Sequence, residues 1–247
     1  MGEINVRFLG SGDAFGNGGR FQTCIYVRSD AMHFLIDCGA SSLVAMKHFE
    51  VNPSLIDIIL ITHLHGDHFG GLPFFILDAQ HISRREKPLI VAGPPGLEDR
   101  TNQAMEVLYP GTSQTQRGFA LEFVELTVER PTTVGPLVVT SYEVVHPSGA
   151  PSYALRVECA GKVVAYSGDT EWTDILTQVA QGADLFVCEC NFFEENPGNH
   201  LDYLTLLDHR AELECGRLVL THMGDEMLRR IQSLDIEGAE DGKSFVL

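Results

Sequence analysis

An apolar stretch, Ile56-Asp57-Ile58-Ile59-Leu60-Ile61, runs directly into Thr62-His63-Leu64-His65-Gly66-Asp67-His68, which places four potential metal ligands at one end of what reads as a buried strand. Packing alone explains this poorly. Histidine is intermediate in burial and aspartate is almost never buried unpaired, so these groups would repel or desolvate one another without a cation between them. A polar loop with chance histidines is the alternative that a metal has to displace. Further along, single polar residues stand where other apolar strands stop: His146 after Tyr142–Val145, Asp169 after Val163–Gly168, and His222 after Leu218–Thr221. Taken alone, His146 or His222 reads better as a satisfied core histidine. Taken together with the cluster, five histidines and two aspartates (His63, His65, Asp67, His68, His146, Asp169, His222) make a different set. A closed structural zinc site needs four ligands, commonly including cysteine. Seven nitrogen and oxygen ligands suit two metals with open positions and one carboxylate between them, an arrangement that lowers the pKa of a bridging water and polarises a substrate oxygen.

At 247 residues the chain is long enough for one large domain spanning 1–247, and no linker, repeat or low-complexity segment interrupts it. Mean hydropathy is +0.02, and no apolar run approaches the ~18 residues needed to span a bilayer, so a membrane location is not expected. The first residues enter a strand without a basic n-region or an apolar h-region, and Val6 stands where a myristoylation signal wants Ser or Thr. Six scattered cysteines without a C-x-x-C pair read as reduced, buried small hydrophobes, which predicts a cytoplasmic protein. Cys188 and Cys190 share a strand face and are the alternative, soft-ligand reading. Net charge is −17, the opposite of a nucleic-acid binder's footprint, so nucleic acid is not an expected partner.

Periodicity predicts strands over Ile4–Leu9, Thr23–Arg28 and His33–Ile36, the last two as a hairpin, then a helix over Ser41–Phe49 and a central strand over Asp57–Ile61. A helix is predicted from about Asp67 through Ser83, a strand over Leu89–Ala92 and a helix after Pro94-Pro95. Phe119–Tyr166 reads as mostly strand, broken at Pro131, Gly135-Pro136, Pro147–Gly149 and Ala160-Gly161. Helices over Thr173–Ala180, Leu201–Glu214 and Asp225–Leu234 alternate with strands over Leu185–Cys188 and Leu218–Leu220, and Ser244–Leu247 closes as a strand. Strand-rich stretches followed by helices argue for an α/β protein of two packed sheets with helices outside.

The histidine run resembles the T-H-x-H-x-D-H motif of the metallo-β-lactamase-fold hydrolases, and Asp37, His146, Asp169 and His222 match the remaining motifs of that superfamily in order. The resemblance covers nearly the whole chain and implies an αβ/βα four-layer sandwich of two mixed sheets with outer helices. It implies that His63, His65 and His146 hold one divalent ion, that Asp67, His68 and His222 hold the other, that Asp169 bridges, and that Asp37 orients the histidine loop. Zinc is the expected metal, with manganese, iron or nickel acceptable to the same donors. Phe8-Leu9-Gly10-Ser11-Gly12, Leu35–Gly39 and His68-Phe69-Gly70-Gly71-Leu72-Pro73 are similar to segments of the branch that contains ribonuclease Z and related phosphodiesterases. Glu189 and His200 fall where that branch has a Glu-His pair that protonates the leaving oxygen. Asp67, His200 and Glu189 are therefore the expected catalytic residues, with His200 as general acid. The plainer reading makes His200 a surface residue of the loop Asn196-Pro197-Gly198-Asn199.

Two departures count against an RNA substrate. The tRNA-gripping arm of ribonuclease Z would lie between His146 and Asp169, where this chain has only a hairpin's length, and affinity for RNA rests on cations that a −17 chain lacks. The expectation is a binuclear hydrolase of a small anionic phosphodiester, such as a cyclic nucleotide or phosphorylated sugar, acting through a metal-bridging hydroxide. The glycine-rich loop Gly10–Gly19 is either a donor of backbone N–H groups to substrate oxygens or a simple turn. Alternatives are an ester, lactone, thioester or β-lactam hydrolase on the same site, a ribonuclease Z-like endonuclease, and a non-catalytic scaffold. The resemblance also makes a homodimer an expectation.

Overall fold

Two seven-stranded sheets stack face to face in the computed structural model, which describes residues 2–30, 32–194 and 197–247. The first sheet is ordered β14 (Ser244–Val246), β1 (Asn5–Gly10), β2 (Cys24–Arg28), β3 (His33–Ile36), β4 (Ile58–Leu60), β5 (Leu89–Gly93) and β6 (Leu121–Glu125). The second is ordered β13 (Glu237–Gly238), β12 (Leu218–Thr221), β11 (Leu185–Glu189), β10 (Lys162–Tyr166), β9 (Ser152–Cys159), β8 (Leu137–Val144) and β7 (Thr132–Val134). Both are mixed. Strands β3 to β6 and β10 to β13 run parallel, and the remaining pairs are antiparallel.

The continuous apolar runs of the parallel strands have a direct cause, since both faces of each sheet are covered. Phe34, Ile36, Ile58 and Leu60 point into the core between the sheets, where they meet Leu185, Val187 and Val219. Alternate residues point outward. Leu35 and Ile59 pack under the helices α1 (Ser42–His48), α3 (Leu72–His81) and α4 (Leu97–Leu108). Phe186, Cys188 and Leu220 do the same under α5 (Ile175–Ala180), α6 (Tyr203–Asp208) and α7 (Asp225–Arg230). The result is the four-layer αβ/βα sandwich that the resemblance implied. Among the described residues, no helix is long and apolar enough to cross a membrane. All six cysteines are free. Cys188 and Cys190 lie in the outer core, their thiols pushed up by burial, and belong to no group of potential metal ligands among the described residues.

Several boundaries differ from the periodic reading. The helix expected over 67–83 is two: α2 (Gly66–Phe69) and α3, separated at Gly70-Gly71. A Cβ on Gly71 would stand 2.3 Å from Gly39 O, so the chain has to break there to lie against the loop after β3. The helix expected over 201–214 starts only after Asp202, whose carboxylate caps it by accepting from Thr205 N–H at 2.8 Å, and it gives way to a 3₁₀ turn at Arg210–Glu212. Likewise the helix expected over 225–234 ends at Arg230 and continues as the 3₁₀ turn Ile231–Ser233, and the one expected from Thr173 begins at Ile175. Strand β13 went unread because two residues carry no period. Met1, Ala31, Glu195 and Asn196 are outside the described residues, so the loop expected over 196–199 is described from Pro197 onward.

This topology gathers the polar strand ends. Asp37, His63, His146, Asp169 and His222 follow the C-terminal ends of strands β3, β4, β8, β10 and β12, and Glu189 is the last residue of β11. These strands leave each sheet at one rim, which is where ligands bind in open α/β sheets. The two rims are tied together. Tyr153 N–H donates to Thr62 O at 3.0 Å and His222 N–H donates to Ser11 O at 3.2 Å.

Candidate metal centre

Every ligand candidate read from the sequence reaches one cluster. His63, His65 and His146 form one group of converging donor atoms, and Asp67, His68, Asp169 and His222 form a second. Asp169 Oδ2 lies between them. It is 3.8 Å from His63 Nε2, 3.2 Å from His68 Nε2, 3.4 Å from His222 Nε2 and 3.9 Å from His146 Nε2. On the second side Asp67 Oδ2 sits 3.1 Å from His222 Nε2 and 3.3 Å from His68 Nε2. On the first, His146 Nε2 faces His65 Nδ1 at 3.0 Å.

Hydrogen bonds on the far side of the rings decide which nitrogens face the cluster. His68 Nδ1–H donates to Asp37 Oδ2 at 2.6 Å, and His146 Nδ1–H donates to Asn199 O at 2.6 Å, which leaves each Nε2 turned inward. Asp37 also accepts from Thr62 N–H and the Thr62 hydroxyl, both at 2.8 Å, so one buried carboxylate holds the strand end and the ligand together. Two of these residues adopt left-handed backbone, Asp37 at φ 62° and His222 at φ 56°. Such conformations cost of order 1–3 kcal/mol each and persist only where the surroundings enforce them. Here His222 is enforced through Ser11 O and through Asn191, whose Nδ2 donates to His222 O at 3.0 Å.

Some atoms of the cluster are left without hydrogen bonds. His63 Nε2, His68 Nε2 and Asp169 Oδ1 are buried and make no hydrogen bond. Buried polar atoms are almost always satisfied, so three unsatisfied atoms on residues of one cluster fit a cation set. The charges agree. Burial opposes charging His68, yet Asp169, Asp67 and Asp37 outweigh it and hold its pKa well above the usual value. Burial likewise opposes His222, which Asp169 and Asp67 raise to about 9. In turn Asp169 and Asp67 are held below the usual carboxylate range, despite burial, by His68 and His222. The other half behaves differently, since burial first and neighbouring imidazoles second push His63 down and keep it neutral. Protons therefore compensate the carboxylates where divalent ions would, and the donor set of nitrogens and oxygens fits two such ions.

Beside the cluster, Glu189 and His200 form the pair expected from the resemblance. His200 Nδ1 lies 3.0 and 3.2 Å from the two carboxylate oxygens of Glu189, and 3.9 Å from Asp169 Oδ2. Glu189 is fully buried and accepts from Thr170 N–H at 2.6 Å, while the His200 side chain keeps 23% exposure. Burial pushes the Glu189 carboxyl up; the Glu189 hydrogen bond raises His200 against burial. His200 also converges with Glu189 and His222, so it belongs to the cluster rather than to the outer surface. Thr62, Thr170, Asn191 and the carbonyls of Ser11 and Asn199 were not singled out in the sequence. Only Thr62 carried a signal there, as the residue between strand and ligand.

The loop Gly10–Gly19 is a braced turn. Its N–H groups at Ser11, Gly12, Phe15, Gly16, Asn17 and Gly19 are already donated to Asp241, Phe21 O, Asp13 and Gly16 O. Of the two readings, the turn accounts for these groups.

Asp37→Asn keeps the volume but weakens the grip on His68. The expected result is metal affinity lower by about 10–100-fold, the usual loss when a partner of a ligand imidazole is removed. Competition against a chromogenic chelator measures it, and an unchanged affinity would remove Asp37 from the metal argument.

Known proteins resemble this chain in sequence and in fold. The ribonuclease Z of Lachnoclostridium phytofermentans is 25% identical to this chain, covering 92% of it and 89% of its own length. The crystal structure of the metallo-β-lactamase fold protein YhfI from Bacillus subtilis aligns with a TM-score of 0.76 at 19% identity, over 98% of this chain and 99% of that one. A diphosphatase from the PhnP family aligns with a TM-score of 0.78 at 16% identity, over 98% and 97%. Fold and cluster together define a protein of the metallo-β-lactamase fold whose relatives are hydrolases of the ribonuclease Z type. The family model described as Anti-Pycsar protein Apyc1 matches residues 4–241, and the chain belongs to that family.

Proposed function

We propose that this chain is a two-metal hydrolase of a small, anionic phosphodiester. The observation that carries the reading is the Glu189–His200 pair, with His200 Nδ1 3.0 Å from Glu189 and 3.9 Å from Asp169 at the edge of the ligand cluster. A proton donor placed there serves a reaction whose leaving group is a poor one, which an alkoxide from a phosphodiester is. In this reading His63, His65 and His146 hold one divalent ion, Asp67, His68 and His222 hold the other, and Asp169 stands between them. When bound, such ions lower the pKa of a water and compensate the charge of the reacting oxygens. Zinc is the metal we expect, and manganese or iron would suit the same donors. Glu189 keeps His200 charged and aimed, and His200 delivers its proton to the departing oxygen.

Relatives support phosphate chemistry, since one is a ribonuclease and a structural neighbour is a diphosphatase. A small substrate is favoured over RNA on two grounds. The chain carries −17, and the segment between His146 and Asp169 is only the hairpin β9–β10. A cyclic nucleotide or a phosphorylated-sugar diester fits a compact site with positive charge concentrated at the metals. Free cysteines suit a reducing, cytoplasmic compartment.

Hydrolysis of bis(p-nitrophenyl) phosphate, with metal content determined on the same samples, tests the reading. Turnover is expected to require bound metal, to vanish on chelation and to return with zinc or manganese. Two bound metals with turnover of a lactone or thioester but of no diester would move the function to carbonyl substrates. Tight retention of tRNA on filters at physiological salt would move it to RNA.

A further inference from the structure

The two halves of the ligand cluster are supported differently. On the second side the Asp37 carboxylate grips the His68 ring directly. On the first, the partner of the His146 ring is only a backbone carbonyl, Asn199 O, which accepts from Nδ1–H at 2.6 Å. A carbonyl is as well placed as the turn that carries it. This turn depends on two successive residues of positive φ, Gly198 at 98° and Asn199 at 68°. Glycine takes such a value freely, whereas asparagine, which has a Cβ, keeps it where its neighbours enforce it.

Glu171 is the side chain that meets the turn. Its Oε1 accepts from Asn199 N–H at 2.7 Å, and a Cβ on Gly198 would stand 3.4 Å from the same oxygen, so the carboxylate lies along both residues. The N–H and the C=O of Asn199 are thus engaged by two different side chains, Glu171 and His146. Rotating Asn199 out of its left-handed conformation would disturb both bonds.

The second observation is where Glu171 itself is fixed. Its N–H donates to Val145 O at 3.2 Å, and the Thr170 hydroxyl donates to Glu171 O at 2.6 Å while accepting from Val145 N–H at 3.1 Å. Val145 immediately precedes His146. Glu171 is therefore anchored on the strand end that bears the ligand and reaches across to the turn that orients it, which joins Val145, Glu171, Asn199 and His146 in one ring of contacts. A half-buried carboxylate in that place does for His146, through a peptide, what Asp37 does for His68 by direct contact.

We propose that Glu171 is a positioning residue of the metal centre, holding the Asn199 carbonyl against His146 so that the ring presents Nε2 to the ion it shares with His63 and His65. The inference rests on the two-metal reading and adds a residue to it. Release of zinc to a chromogenic chelator from the metal-loaded wild type, Glu171→Ala and Glu171→Gln tests it. Glu171→Ala is expected to lose one of its two ions about tenfold more readily, the lower end of the loss when the support of a ligand imidazole is removed, and to hold the other as the wild type does. Glu171→Gln keeps an oxygen that can accept from Asn199 N–H and is expected to restore the wild-type release. A Glu171→Ala variant that releases both ions as the wild type does, or both equally faster, would overturn the proposal, as would a Glu171→Gln variant no better than Glu171→Ala. Release that follows the expected pattern in a protein that cleaves no phosphodiester would uphold the role of Glu171 and sink the activity reading instead.

Discussion

Asp169→Ala is expected to empty the centre and cut turnover by about 10²–10³-fold or more, the loss that follows removal of one principal charge-stabilising group from a reacting site. The size of the effect follows from position. One carboxylate oxygen lies within 3.9 Å of His63, His68, His146, His200 and His222, so its loss is felt at five imidazoles at once. The variant should also be less stable. His68 and His222 are buried and carry raised pKa values because of Asp169 among others, and removing one partner of a buried charged set costs about 3–5 kcal/mol. For a chain of this length that is a fall in Tm of roughly 10 °C. Metal analysis, calorimetry and diester hydrolysis on the same preparation check the three effects. A variant that keeps two metals and turns over would place the bridge elsewhere.

Much of this site was legible because a set of ligand-type residues at a strand end is a chemical contradiction in the sequence. His63, His65, Asp67 and His68 stand where packing wants apolar groups, a conflict that a cation would resolve. His146, Asp169 and His222 were legible for a related reason, as lone polar residues at the stops of apolar strands. The sheets were legible through both-face burial, which writes Ile58-Ile59-Leu60 and Leu185-Phe186-Val187 as unbroken apolar runs. Helix ends were not, because they are set by tertiary contact: Gly71 breaks α2 from α3 only because Gly39 O is there to meet it. The supports of the ligands were hidden too. Asn199 and Ser11 act through backbone carbonyls, which every residue has, and Asp241 looks like any acid in a polar turn until Ser11 and Phe21 are found on it.

His200→Ala separates the chemistry from the metals. If His200 protonates the leaving oxygen, its loss should depend on how much help that oxygen needs. Turnover of a diester that expels an alkoxide is expected to fall by about 10²–10⁴-fold, the range of general acid catalysis. For bis(p-nitrophenyl) phosphate, whose nitrophenolate departs without a proton, the loss should be far smaller, and metal content should stay at the wild-type value. Glu189→Gln should reproduce the leaving-group dependence in milder form. It keeps the shape of the partner but withdraws the charge that raises His200 against its burial. Loss of metal in His200→Ala would make this residue a ligand, as its convergence with Glu189 and His222 allows. Equal losses on both leaving groups with metal retained would show that the imidazole binds the phosphate rather than protonates the oxygen that leaves it.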